Sequence, residues 1–202
     1  MPTPWHYQDD TLLVRKFCVG PLENNVYVVA CAQTNRAVII DAADEAERIQ
    51  AETAGLHPQA ILTTHGHWDH VQAAALVSRR LGIPFGIHRA DRSMVEATPE
   101  LELDHRQEIA VGRLSLRVLH TPGHTPGSVC FSLPGSLFTG DTLFPGGPGA
   151  TSGPGQFATI IESLENLLFP LPDATTVFPG HGLDTTLGTE RPRLHEWVAR
   201  GY

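Results

Sequence analysis

The chain has 202 residues, enough for one domain, here expected over 1–202, with a full hydrophobic core. Its 41% hydrophobic and 18% charged residues, with no apolar run near the ~18 residues of a membrane span, exclude a disordered or membrane-embedded chain. Fourteen Lys and Arg (Lys16 the sole lysine) against 22 Asp and Glu give a net charge of −8, which argues against nucleic acid or acidic membrane as partner and leaves a small-molecule substrate.

In chain order, Leu12–Val14, Val26–Val29 and Arg36–Ile40 read as strands, the third ending at Asp41. The spacing then predicts a helix over Asp44–Ala54 closed by Gly55, a buried strand over Ala60–Thr63, and a helix over His70–Leu81 stopped by Gly82 and Pro84. Further on, strands are expected at Ile109–Val111, Leu114–Leu119, Ser128–Leu133 and Ser136–Thr139, a helix at Phe157–Leu168, and a strand at Thr175–Phe178. Phe144–Gly155 holds five glycines and three prolines in twelve residues and reads as an ordered loop.

The two arcs match. A hairpin ending in Asp41, a helix, a strand and Thr64-His65-Gly66-His67 is followed by a hairpin ending in Asp141, a helix, a strand and Pro179-Gly180-His181-Gly182. Two such units that bury their sheet faces against each other predict an α/β fold, a four-layer αββα sandwich with the strand-end loops meeting at one edge.

The N-terminal Met1–Asp10 lacks a basic-then-apolar run, so a cytoplasmic location is expected. Cys18, Cys31 and Cys130, odd in number and far apart, read as reduced buried thiols. Eleven histidines are the anomaly, and imidazole is a common transition-metal ligand. His65-Gly66-His67-Trp68-Asp69-His70 follows a predicted strand: His65 and His67, two apart, point the same way on extended chain, and a turn into a helix aims Asp69 and His70 at a second location nearby. Nitrogen donors with carboxylate and no thiolate suit zinc, with iron or manganese as alternatives. Three later segments sit at predicted strand ends in Gly/Pro-set turns: His120-Thr121-Pro122-Gly123-His124-Thr125-Pro126-Gly127, Gly140-Asp141, and Pro179-Gly180-His181-Gly182.

These motifs, in this order, resemble the metallo-β-lactamase superfamily, and within it the glyoxalase II (hydroxyacylglutathione hydrolase) branch, in a short form without the C-terminal helical domain. The resemblance implies the metallo-β-lactamase fold and two Zn2+ per chain, with His65, His67 and His124 binding the first metal, Asp69, His70 and His181 the second, and Asp141 bridging both. It makes Asp41 the buried aspartate that orients ligands from behind and gives His120 no ligand role. Asp69 and Asp141 are then the catalytic carboxylates, Asp69 also orienting a bridging hydroxide that attacks a carbonyl polarised by one metal. Zinc β-lactamases typically lack the bridging aspartate and many use a cysteine, whereas here Asp141 is present and no cysteine lies near the motifs, so a thioester or related ester is the expected substrate. Alternatives are a lactonase, a mononuclear iron persulfide dioxygenase of similar sequence, and a metal-stabilised binding fold without catalysis. Glutathione-holding residues are not carried over, and no arginine occupies the loop after Asp141; Arg191 and Arg193 read as solvated helix-start charges.

Overall fold

The structure is a computed structural model describing residues 2–201. Its first half forms a sheet in sequential order: β1 (Tyr7–Gln8), β2 (Leu12–Val19), β3 (Asn24–Cys31), β4 (Arg36–Ile40), β5 (His57–Leu62), β6 (Phe85–Ile87) and β7 (Leu101–Glu102). The first four are antiparallel, and each later strand pairs parallel to the one before it. Parallel pairing demands crossovers. These are α1 (Ala46–Glu52), then α2 (Trp68–Val71) with α3 (Ala74–Leu81), then a 3-10 turn over Arg89–Met94.

The second half begins with the antiparallel meander β8 (Glu108–Val111), β9 (Leu114–His120), β10 (Val129–Leu133) and β11 (Ser136–Gly140). A small hairpin, β12 (Leu143–Phe144) with β13 (Gly147–Pro148), leads into α4 (Pro154–Ser163). Then β14 (Thr176–Pro179) pairs parallel to β11 and β15 (Thr185–Thr186) antiparallel to β14, before α5 (Leu187–Glu190) and α6 (Leu194–Arg200). Each half is thus an antiparallel run whose last strand takes a parallel neighbour after a helix, as the two arcs of sequence predict.

Three apolar clusters define the layers. Val28, Ile39 and Ile61 on the outer face of the first sheet meet Ile49 of α1 and Val77 of α3. The opposite face of that sheet, with Val14, Val29, Val38, Ile40 and Leu62, packs on Leu116, Val118, Phe131, Phe138 and Phe178 of the second. The outer face of the second sheet, with Cys130, Leu137 and Val177, is covered by Ile160, Leu164 and Trp197. Strand β3 is buried at every position, because it lies inside the first sheet with a covering layer on both faces. The expected αββα sandwich is what the chain forms.

The elements differ from expectation in detail, for local reasons. The helix expected over His70–Leu81 begins at Trp68 and breaks between α2 and α3, because the Ala73 N–H donates to Ala42 O at 3.0 Å and ties the turn to the loop after β4. The Asp44–Ala54 helix is trimmed to α1 by Glu45, whose φ of 50° is left-handed, and by the turn before Gly55. The segment expected to be loop over Phe144–Gly155 contains the β12–β13 hairpin and the start of α4, and the helix reaching Leu168 ends in a π turn with Phe169 N–H on Leu164 O. Cys31 and Cys130 are buried, but Cys18 is exposed, its thiol 3.3 Å from Asn25 Oδ1 at the open end of β2. Arg191 is not a solvated charge: it pairs with Asp173 and donates to Leu171 O. Among the described residues no helix is long and apolar enough to cross a membrane.

Phe131 is fully buried in the layer between the sheets. Truncation to alanine leaves a cavity that neither sheet can close, so Phe131→Ala is expected to lower unfolding free energy by ~3–5 kcal/mol in a urea titration.

Candidate metal centre

The strand ends that carry the motifs meet at one edge of the sandwich. The structure brings together all seven side chains singled out in the sequence, in three overlapping groups able to hold a metal ion: His65 with His67 and His124; His65 with His70 and Asp141; Asp69 with His70 and His181. Within each group the donor atoms lie within 4.8 Å of one another.

In the first group His67 Nδ1 lies 3.0 Å from His65 Nε2 and 2.9 Å from His124 Nε2. The proton positions follow from what stands behind each ring. His124 Nδ1 is 2.7 Å from Ala150 O, which only accepts, so Nδ1 carries the proton and Nε2 a lone pair. Thr64 donates its hydroxyl proton to Asp41 Oδ2 at 2.7 Å and therefore accepts from His65 Nδ1 at 3.1 Å, which again leaves Nε2 with the lone pair. Two lone pairs thus point at His67 Nδ1, whose single proton satisfies only one of them. Three neutral imidazoles arranged in this way suit a cation. Burial holds His65 well below the ordinary histidine range, and the neighbouring histidines push it lower. Burial and then His124 lower His67 as well.

The second group is acidic. His70 Nε2 faces Asp69 Oδ2 at 3.6 Å and Asp141 Oδ1 at 3.4 Å, while His181 Nε2 faces Asp69 Oδ2 at 3.6 Å. His70 Nε2 and Asp141 Oδ1 are buried without a hydrogen-bond partner. A ring nitrogen and a carboxylate oxygen buried this close together without a hydrogen bond are a donor pair that fits a cation. Burial works against charge on His70, but the Asp41 carboxylate at 2.9 Å from its Nδ1, helped by Asp141 and Asp69, outweighs it and raises the pKa to about 9. Burial would raise Asp69, yet the Asn24 amide at 3.0 Å and then His70 hold it below the ordinary range. Asp141 lies between the groups, with Oδ2 3.6 Å from His124 Nε2 and 3.8 Å from His181 Nε2.

The scaffold behind the donors is backbone and buried amide. Asp41, 1% exposed, accepts from the Thr64 N–H and hydroxyl as well as facing His70, so one carboxylate orients His70 directly and His65 through Thr64. The His181 loop is pinned to β3: Asn25 donates to Pro179 O and Gly182 O, and Tyr27 donates to Pro179 O at 2.6 Å. His181 Nδ1 lies 3.1 Å from Leu22 O. Gly180 admits no side chain, since a Cβ there would stand 2.3 Å from Asp141 Oδ1. His120 stays outside the groups, its Nε2 2.9 Å from Pro126 O and its ring stacked on His88 at 4.0 Å.

Sequence reasoning missed Asn24, Thr64 and Asp91. Adjacent amides at Asn24 and Asn25, entering an otherwise apolar strand, were a usable signal, because a buried amide needs a partner. Asp91 gave none beyond its place three residues after the apolar Phe85–Ile87 and His88.

Residues 19–181 match the family model described as the Metallo-beta-lactamase superfamily. The chain belongs to that superfamily. A hydroxyacylglutathione hydrolase, GloC, of Haemophilus influenzae is 36% identical over 178 residues, covering 77% of this chain and 84% of that protein. Among solved structures, TTHA1623 in a di-iron-bound form superposes with a TM-score of 0.79 at 37% identity, over 88% of this chain and 97% of that one. BLEG-1, a B3 metallo-beta-lactamase, gives 0.82 at 32% identity, over 89% and 96%. Family and site together make the chain a metallo-hydrolase of this superfamily with a His-rich metal site.

Asp41 offers a specific test. In Asp41→Asn the oxygen is retained by the Thr64 N–H, so the new amide N–H points at His70 Nδ1 and moves the imidazole proton to Nε2. The variant is expected to fold and to lose ~10–100-fold in metal affinity, most at the step that His70 serves and less at the one that His65 serves through Thr64, read by elemental analysis after dialysis against a chelator series.

Proposed function

We propose that the chain is a binuclear metal hydrolase of thioesters of the hydroxyacyl-thiol type, or of related esters. The observation that carries this reading is Asp141, whose two oxygens face different histidines, Oδ1 toward His70 and Oδ2 toward His124 and His181. A carboxylate shared in this way serves two ions better than one. In this reading His65, His67 and His124 hold the first ion, Asp69, His70 and His181 the second, and Asp141 both.

When bound, the two ions supply an activated water as nucleophile and polarise the carbonyl under attack. The chain's own residues do the rest. The Nδ1 hydrogen bonds of His65, His124 and His181 keep Nε2 unprotonated and aimed inward. In this reading Asp69, held below the ordinary carboxylate range by Asn24 and His70, orients the attacking water. His67 and Asp69 start α2 and are fixed relative to each other by its first turn. Leaving-group choice favours a thiolate, which departs from a tetrahedral centre more readily than an alkoxide and needs no acid near the scissile bond. Similarity to a hydroxyacylglutathione hydrolase supports the thioester over a β-lactam, and similarity to BLEG-1 makes the lactam a necessary control. Zinc is the metal the donor set suits, and the di-iron form of TTHA1623 makes iron its competitor.

The test is metal counted per chain in protein purified without supplement, followed by hydrolysis of acyl-thiol, lactone and β-lactam panels. About two equivalents of zinc are expected, with thioester hydrolysis that chelation abolishes and Zn2+ restores. Asp141→Asn is expected to cost more than the ~10–100-fold typical of groups behind a metal ligand. About one iron, with oxygen uptake on a persulfide and no hydrolysis, replaces this reading with the dioxygenase.

A further inference from the structure

Each histidine group has a buried carboxylate behind it. Asp41 serves the group around His70; Asp91, fully buried at the 3-10 turn after β6, stands behind the group of three. Asp91 hydrogen-bonds none of the seven converging side chains. Its Oδ2 accepts from the Gly66 N–H at 2.8 Å and the Thr125 hydroxyl at 2.6 Å, and its Oδ1 accepts from the Gly127 N–H at 2.6 Å. Gly66 lies between His65 and His67, and Thr125 follows His124 directly. One carboxylate therefore holds the chain on both sides of the junction between two loops that are otherwise about sixty residues apart in sequence.

The close approach is built in. A Cβ on Gly127 would stand 2.6 Å from Asp91 Cγ, and one on Gly66 would stand 3.1 Å from Asp91 Cβ and 2.8 Å from Met94 Cβ. Two motif glycines are thus explained by the aspartate they admit. The Thr125 hydroxyl has one proton, which goes to the carboxylate, so Ser128 donates to Thr125 at 2.7 Å and completes the junction.

We propose that Asp91 is the positioning residue of the three-histidine group: it fixes the separation of the His65/His67 loop from the His124 loop, and with it that group's affinity for a divalent ion. The inference rests on the reading that His65, His67 and His124 hold an ion. Asparagine cannot replace it, because its amide puts a donor against one of the two backbone N–H groups. Thr125 carries the same geometry by a single bond, which serine retains and valine removes.

The experiment strips full-length protein of metal and titrates it with Zn2+ against a chromophoric chelator, alongside the melting temperature of the metal-free protein. Asp91→Asn is expected to weaken one binding step ~10–100-fold while the other stays within about twofold, with Thr125→Val intermediate and Thr125→Ser like the parent. Unchanged affinities in Asp91→Asn, or both steps weakened in parallel with a fallen melting temperature, overturn the proposal. If Asp91→Asn does not fold, the Thr125 pair decides: parental affinity in Thr125→Val overturns it, and a one-step loss that serine rescues supports it. His67→Ala in the parent separates the two readings. If it alters no binding step, the three histidines hold no ion and the inference falls with that reading; if it does, the Asp91 and Thr125 variants test the positioning role alone.

Discussion

Seven donor side chains converge on a region where their lone pairs face one another, and the rest of the structure is arranged to hold them there. His65 Nε2 and His124 Nε2 both face His67 Nδ1 at about hydrogen-bond distance, and His70 Nε2 and Asp141 Oδ1 are buried beside each other, a donor set that suits a cation. The sandwich core holds it in place: side chains from both sheets interlock in one layer, so the edge loops cannot relax without moving whole strands.

The arrangement also explains why the supports are backbone carbonyls and buried carboxylates rather than surface groups. Ala150 O and Leu22 O accept hydrogen bonds from the Nδ1–H groups of His124 and His181, and a carbonyl cannot donate one, so the proton stays on Nδ1 and the tautomer is fixed. Asp41 and Asp91 are both essentially inaccessible and each accepts several hydrogen bonds. Their difference lies in what they hold: Asp41 touches a ring, whereas Asp91 holds only main chain and a neighbouring hydroxyl.

Much of this was legible in the sequence, for identifiable reasons. The His65–His70 spacing places donors on one side of a strand end and a helix start whatever the tertiary context, and the repeated hairpin, helix and strand order implied two sheets. The break between α2 and α3 was not legible, because it depends on the Ala73 N–H reaching Ala42 O across the fold. Nor was β6 legible as a strand, since three residues with a central glycine carry no periodicity. Asn24 and Asp91 went unseen as site residues because their roles come from partners far away in the chain, Asp69 and His181 for one, Gly66 and Gly127 for the other.

The placement of Asp141 makes the site a reporter on how the two halves fit. His65, His67, Asp69 and His70 follow β5 of the first sheet, whereas His124, Asp141 and His181 come from loops at the ends of second-sheet strands. No hydrogen bond runs between β4 and β11, the strands after which Asp41 and Asp141 lie, because they belong to different sheets. The registration of the halves therefore rests on side-chain packing between the sheets and on polar ties across them that include Asn25 and Tyr27 to Pro179, the Val129 N–H to Thr64 O, and the Thr125 hydroxyl and Gly127 N–H to Asp91. An ion shared by donors from both halves adds to those ties, so metal binding and the docking of the halves stabilise each other.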